Sequence, residues 1–461
     1  MKPWMWAVIA GVVVGVVYTL SPLTTLFLAA FVPLCRWAGK GLPAEERRWL
    51  TIVLGLAIAL RLAAIAGLFL SADGDIPFAN FFSDEEFFKR RAIWLRNVGM
   101  GIPISTADFI YTFDETGDSS YLYLLAYVQA LVGFAPYGVH VLNAAMYLAA
   151  AVALFRLVRP SFGAGASIGA LTLLLFLPSL FVWSISALKE PPYFLVAAVN
   201  VVAVISIVRA HDWRMRVAAA AILVLGGLAL QSLREGGLML TAIGAGSGLA
   251  AWRFVLLKPR AMLATVGLLV VVSTAALTRP QVQERLWPIV HQAAFKHWGH
   301  INTPGLTYRL LDDRFYADRN LVPTMTAAEA ARFMIRAAWS YATVPLPWRI
   351  ESRSMLAQWP EHALWYGLLI LLPAGVIAGL RRDPLLTSVL LAHGLAAALI
   401  VAVSGGNIGT LVRHRGLALP YLLWLSCLGA IHLGSYVVSQ ASGRPAGTRV
   451  SHSGAKGSLA C

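Results

Sequence analysis

Long apolar runs recur from one end of this chain to the other, and they restrict its fold more than any other feature. Trp4 to Leu20, Leu23 to Trp37 and Leu50 to Leu70 come first. Runs near 138–157, 165–185, 191–208, 215–232, 237–255 and 261–277 follow, and the last lie near 364–380, 385–404 and 415–437. A helix needs about 20 apolar residues to cross the hydrocarbon core. In lipid the backbone must satisfy its own hydrogen bonds, which leaves helices or a closed barrel, and runs of this length are helical. The expected fold is therefore an all-α polytopic membrane protein with about twelve transmembrane helices. With 58% hydrophobic and 13% charged residues, the chain is far from the ~25% charge of a soluble domain.

The net charge of +15 does not call for nucleic acid once its placement is considered. Arg36, Lys40, Arg47 and Arg48, then Arg156 and Arg159, Arg209 to Arg216, Arg253 to Arg260, and Arg381 and Arg382 occupy alternate connections. Cytoplasmic loops carry the excess of Lys and Arg, so these connections and both termini are expected inside. The remaining connections then face outside. Cys35, Cys427 and Cys461 offer neither a disulfide framework nor a thiolate metal site.

The expected organisation is an N-terminal helical hairpin and cytoplasmic connection (1–48), a transmembrane core with an outer loop at 71–120 (49–277), an outer helical segment (278–362), C-terminal transmembrane helices (363–438) and a disordered cytoplasmic tail (439–461). Tyr121 to Gly133 is too short to span. It suits an interfacial helix with Tyr121, Tyr123 and Tyr127 at headgroup level. Within the outer segment, Gln281 to His297 has the pattern of an amphipathic helix, and Thr326 with Glu329 has the spacing of a capping box.

Four polar features stand out on the outer side. They are Asp84, Glu85 and Glu86; Lys189 and Glu190 above a span; Arg234 and Glu235, similarly placed; and a glycine-rich stretch carrying Asn407, Arg413, His414 and Arg415. Ionisable residues at helix ends in membrane proteins mark substrate pathways. Cations near a carboxylate suit an anionic headgroup held beside a general base. Each feature also has a plainer reading. Lys189 and Glu190 form a solvated helix-end pair, Arg234 snorkels, Arg413 and Arg415 act as orientation charges, and the acidic triplet is a solvated loop. Asp114, Glu115 and Asp118 read as turn residues, and His297 and His300 lack metal-ligand spacing. Walker, GxGxxG and HExxH patterns are absent from the sequence, which leaves ATP-driven transport and zinc hydrolysis without support.

The order of a span, an outer loop with Asp84 and Glu85, the Tyr121–Gly133 segment, Asn143 in the next span, and Ser186 to Pro191 opening a later one resembles the GT-C membrane glycosyltransferases. The similarity is to the bacterial polyprenyl-phosphate-sugar-dependent enzymes related to protein mannosyltransferases and aminoarabinose transferases, and it covers roughly residues 49 to 260. The resemblance implies a polyprenyl-phosphate-linked sugar donor, a lipid, glycan or protein acceptor, and inverting transfer at the outer face of a bacterial inner membrane. It implies Asp84 as general base with Glu85 second; Glu86, Lys189, Glu190, Arg234, Asn407, Arg413 and Arg415 are the substrate-binding candidates among the outer polar features, and the stretch with Asn407, Arg413 and Arg415 lies outside the similarity. A divalent metal, Mg or Mn, is used by some members of the family and not by others. Three alternatives remain: a polysaccharide polymerase using a lipid-diphosphate donor, which the large late outer segment suits; a transporter, which would call for inverted repeats with broken helices; and a structural or assembly subunit, whose outer carboxylates would be unreactive. No such repeat or break is evident in the sequence.

Overall fold

The computed structural model describes residues 3–20, 22–71, 82, 84–114, 118–133, 137–303, 305–348 and 353–441. Glu115 and most of the 439–461 tail, to which the sequence assigned a turn residue and disorder, lie outside them. The chain is an all-α polytopic membrane protein, and no strand occurs among the described residues. The first half comprises α1 (Pro3–Leu20), α2 (Pro22–Gly39), α3 (Ala44–Leu70), α4 (Asp84–Gly99), α5 (Thr106–Thr112), α6 (Ser120–Val132), α7 (Gly138–Phe162), α8 (Ala164–Phe176), α9 (Pro178–Ile185) and α10 (Glu190–Arg209). The second comprises α11 (Trp213–Leu233), α12 (Gly237–Val255), α13 (Pro259–Leu277), α14 (Pro280–Ile301), α15 (Asp313–Ala317), α16 (Ala327–Thr343), α17 (Arg353–Arg382), α18 (Pro384–Ser404), α19 (Ile408–Arg415) and α20 (Leu419–Ala441).

Among the described residues, 10 helices are long and apolar enough to cross a membrane, or 11 when α8 and α9 count as one bent span. Each falls on one of the expected runs. The difference lies at 165–185: what reads as one continuous span is broken at Leu177, and α9 turns 62° away from α8. Pro178 is the physical reason, because its ring lacks an N–H and disfavours helical geometry in the residue before it. Leu177 accordingly leaves the helix at ψ 125°, and Pro178 opens α9.

α7, α10, α18 and α20 form the buried centre of the bundle. α7 packs on α10 and α2, α10 on α11, α18 on α12, and α20 on α17 and α8. Small residues set the closest approaches. A Cβ at Gly375 would stand 1.8 Å from the Leu425 carbonyl oxygen, and one at Gly429 would stand 2.2 Å from that of Leu371. The α17–α20 contact therefore depends on bare backbone, the means by which helices in lipid come close without a hydrophobic drive between them.

The basic connections gather at one end of the bundle. Arg159 forks onto Glu46 at 2.7 to 3.0 Å. Arg156 reaches the Lys40 carbonyl, and Arg209 and Ser161 share Asp383. The other end carries the polar segments. The expected outer loop at 71–120 contains helix as well, with Asp84 starting α4. α6 occupies the expected interfacial position, and Tyr123 and Tyr127 are exposed on it. Tyr121 is not at headgroup level: it is fully buried and its hydroxyl accepts from Asn143 at 2.9 Å. The spacing i, i+2, i+6 puts Tyr121 on a different face of the helix from Tyr123.

Residues 280–343 fold into a helical cap over this end. α14 is the expected amphipathic helix, and α16 begins with the Thr326–Glu329 capping box. Arg314 pairs with Glu329 at 2.7 Å, and Arg332 and Arg336 converge on Asp312. The cap is fastened to the α18–α19 connection: Tyr308 N donates to the Gly406 carbonyl at 3.0 Å and Ile408 N to that of Leu306 at 2.9 Å. Replacing Gly375 by leucine is expected to separate α17 from α20 and cost about 3 kcal/mol. Gly367→Leu, on the same helix with open space around it, should leave the melting temperature in detergent nearly unchanged. Equal melting temperatures for the two variants would show that the α17–α20 contact is not as described.

Candidate functional site

The cap end of the bundle holds an open cavity of about 930 Å³. Its wall brings together parts of the chain far apart in sequence: Asp84 from α4, Trp183 from α9, His300 from α14, Glu361 from α17, and Arg413 and His414 from α19. Of the residues expected to be catalytic or substrate-binding, Asp84, Asn407 and Arg413 line it.

α9 forms one wall because of the break that precedes it. An interrupted helix leaves carbonyls at one end and amides at the other without partners, and side chains from elsewhere supply both. Arg61, fully buried on α3, donates Nη2 to the Leu175 carbonyl at 2.9 Å and Nε to the Ser184 hydroxyl at 2.8 Å. Its guanidinium lies 4.9 Å from the Phe181 ring centroid. On the other side of the break Glu361 accepts from Ser179 N at 3.0 Å and from the Ser179 hydroxyl. A carboxylate at a helix N-terminus is favoured by the exposed amides and the helix dipole. Beyond α9, Asn143 donates to the Ser186 and Leu188 carbonyls at 2.6 and 2.8 Å. It thereby fixes the turn that carries Lys189 and Glu190 to the start of α10.

α19 forms the facing wall. Asn407 is its N-cap, with the side-chain oxygen accepting from Gly409 N at 2.9 Å and Thr410 N at 3.3 Å, so Asn407 shapes the helix while also lining the cavity. Gly405 and Gly406 lie against the cap. Added Cβ atoms there would meet the Tyr308 hydroxyl at 2.5 Å and the His297 carbonyl at 2.7 Å, so these glycines admit the cap. His297 serves the same joint: its Nδ1 meets the Gly405 carbonyl and its Nε2 the Tyr316 hydroxyl. Burial pushes its imidazolium down to about 4, and both ring nitrogens are occupied.

The last three residues of α19 are basic and point three ways, as the ~100° turn per residue of an α-helix requires. Arg413 faces the cavity, 3.4 Å from Asp84 and 5.4 Å from the Phe82 ring centroid. His414 faces the cavity beside Trp183 and receives Arg234 on Nε2 at 3.2 Å. Burial holds the His414 imidazolium well below its usual range, with like-charge repulsion from Arg234, Arg413, His300 and Lys189 adding to it. Arg415 turns into the protein. It is buried, donates to the Tyr341 carbonyl at 3.1 Å, reaches the Val344 carbonyl and lies 4.8 Å from the Trp365 centroid.

The other expected residues sit outside the cavity lining. Arg234 approaches Glu190 at 3.7 Å, forming a pair behind His414. Lys189 stands beside that pair, its ammonium lowered first by burial and then by Arg234, against Glu190. Glu85 is fully buried on the inner side of α4. Its charge and that of Glu86 oppose the burial that takes Lys89 down to about 8. Glu86 pairs with Arg90 one turn along the same helix.

The sequence reading did not single out Glu361, Ser179, Trp183, His300 or His414 as site residues. Glu361 sits at the edge of a span without a second acid, and His414 is embedded between two arginines that draw attention first. No group of three His, Cys, Asp or Glu among the described residues could hold a metal ion. With Asp84 beside Arg413 and Glu361 engaged by Ser179, the described side chains do not fit a divalent metal held by protein ligands.

The opposite directions of Arg413 and Arg415 give a direct check on this geometry. Arg415→Lys loses the fork that holds two carbonyls and is expected to destabilise the protein by about 2–3 kcal/mol, whereas Arg413→Lys should leave stability within about 0.5 kcal/mol of the parent. Matching thermal midpoints in detergent would contradict the assignment of Arg415 to the packing.

No protein-family model matches the chain, and neither a curated protein nor a solved structure does.

Proposed function

We propose that the chain is a GT-C-type membrane glycosyltransferase that moves a sugar from a polyprenyl-phosphate donor to an acceptor. One observation carries the reading: Asp84 and Arg413, 329 positions apart in sequence, meet at 3.4–3.5 Å on the wall of one cavity next to the spans. A general base and a cation for a phosphate are the groups that this transfer needs. The rest of the wall suits a sugar. Trp183 supplies an apolar face, while Ser179, Thr303, Gln358, Asn407 and Thr410 supply hydroxyl and amide groups. A cavity of this size lies at the upper end of the range for small-molecule sites.

In this reaction the acceptor hydroxyl attacks the anomeric carbon and its proton passes to the Asp84 carboxylate. The bond from the anomeric carbon to the phosphate oxygen breaks on the opposite side, so configuration inverts and polyprenyl phosphate leaves. Arg413 balances the charge on the leaving phosphate. Half-exposure of Asp84 leaves its carboxylate accessible to an acceptor.

Gathering of the basic connections at the end opposite the cavity supports a location in a bacterial inner membrane with both termini cytoplasmic and the cavity on the outer side. The partners are then the lipid-linked donor, a lipid, glycan or protein acceptor, and the surrounding membrane lipids. A polymerase using a lipid-diphosphate donor is the second reading. The observation in its favour is that the cap itself contributes His300 and Thr303 to the wall, as a site that grips a growing glycan requires.

Asp84→Asn is expected to lower transfer in reconstituted liposomes by at least about 100-fold with expression and melting temperature unchanged. Arg413→Lys should weaken donor binding about tenfold through loss of the planar fork. Full transfer by the Asp84 variant removes the proposed base. Turnover of a lipid-diphosphate oligosaccharide, but not a lipid-monophosphate sugar, would select the polymerase.

A further inference from the structure

Glu190, Arg234 and His414 form a connected line that ends at the cavity. Glu190, buried at the start of α10, lies 3.7 Å from Arg234 Nη1, and Arg234 Nη2 lies 3.2 Å from His414 Nε2. Only His414 of the three is part of the cavity wall. The direction of the second contact is fixed by chemistry. A guanidinium has donors and no acceptor, so His414 Nε2 must accept, and the ring proton of the neutral imidazole must sit on Nδ1. Trp183, with its ring 6.4 Å from that of His414, and Gly416, where a Cβ would stand 2.8 Å from Trp183, confine the ring from the other side.

We infer that His414 is a neutral hydrogen-bond donor to the anionic oxygen of the headgroup in the cavity, locked in its Nδ1–H tautomer by Arg234, which Glu190 holds in place. The inference rests on the proposed function for the identity of the headgroup, a phosphate. Arg234 and Glu190 are then positioning residues. His414 does not act as a base, because its free lone pair is already engaged. No proton is transferred: Nδ1–H donates to the oxyanion and keeps its hydrogen, adding a directed donor to the cation of Arg413 beside it. A second full charge is avoided where Arg234, Arg413, Lys189 and His300 already stand, with Asp84 and Glu190 as the acids facing those cations. A neutral donor aimed at a site of developing negative charge stabilises it without reorganisation.

The test uses the full chain in lipid nanodiscs and has two readouts. In the first, ¹⁵N-histidine NMR, with the His414 signal identified by its loss in His414→Asn, should report a protonated Nδ1 and a bare Nε2 throughout pH 5.5–8. In Arg234→Met the ring should lose its single tautomer. A parent ring that titrates there, or that carries its proton on Nε2, overturns the inference. The second readout is affinity for farnesyl phosphate, with farnesol as the uncharged control. The Asn amide places an N–H where Nδ1–H stood, so His414→Asn should bind within about threefold of the parent, while His414→Phe should lose roughly 10-fold or more, the range for a hydrogen bond to a charged group. Equal binding by the Asn and Phe variants overturns the donor role. If the parent shows the single tautomer but prefers farnesol or binds neither probe, the locked ring is supported and the polyprenyl-phosphate reading fails.

Discussion

The break between α8 and α9 creates the problem that the rest of this end of the molecule is built to solve. Inside a bilayer there is no water to satisfy the carbonyls that a helix leaves at its end or the amides that the next one exposes at its start. Here the carbonyl side is held by Arg61 from α3 and the amide side by Glu361 from α17. The two partners come from opposite ends of the chain, so the bent span forms only when the early and late helices have packed together. The cavity inherits this dependence, because α9 is one of its walls and carries Ser179 and Trp183 into it.

The apolar runs and the alternation of basic connections were legible in the sequence because both arise from a one-dimensional cause, the thickness of the bilayer and the charge bias across it. The break was not. Leu177 and Pro178 lie within an uninterrupted apolar stretch, and a proline in a transmembrane helix kinks it in one protein and ends it in another according to what neighbouring helices offer the freed backbone. What they offer is Arg61 and Glu361, at separations of more than a hundred residues. The cavity wall was legible only in part for the same reason. Asp84 and Arg413 could be picked out as charges on the same side, but that Arg415, two residues on, turns inward follows from α19 being helical and packed against α16 and α17. Glu85 and Glu86 were inseparable from Asp84 as a run of acids. The helix beginning at Asp84 sends one into the protein and the other to Arg90.

Two sets of arginines differ in what they hold. Arg61, Arg91 and Arg415 are buried and donate to backbone carbonyls: Ala57 and Leu175, Thr112 and Asp114, Tyr341 and Val344. A carbonyl within a packed backbone cannot move away or change its charge, and breaking such a contact strands a buried cation at heavy cost. These residues join segments that would otherwise be connected only through distant parts of the chain.

Arg413 and Arg234 differ in every respect. They are partly exposed, their partners are side chains, and their ion-pair contacts of 3.4 and 3.7 Å are long for charge-assisted hydrogen bonds. Arg234 is also held by His414, whereas the Arg413–Asp84 contact on the cavity wall is open to exchange with a better anion. An arginine paired with a carboxylate beside an open cavity does not leave a bare charge near the membrane, and parting such a half-exposed pair costs little. Carbonyl-bound guanidiniums keep α9 and α19 against their neighbours, and within that fixed frame Arg413 is the arginine of the cavity wall, with Arg234 behind it against His414.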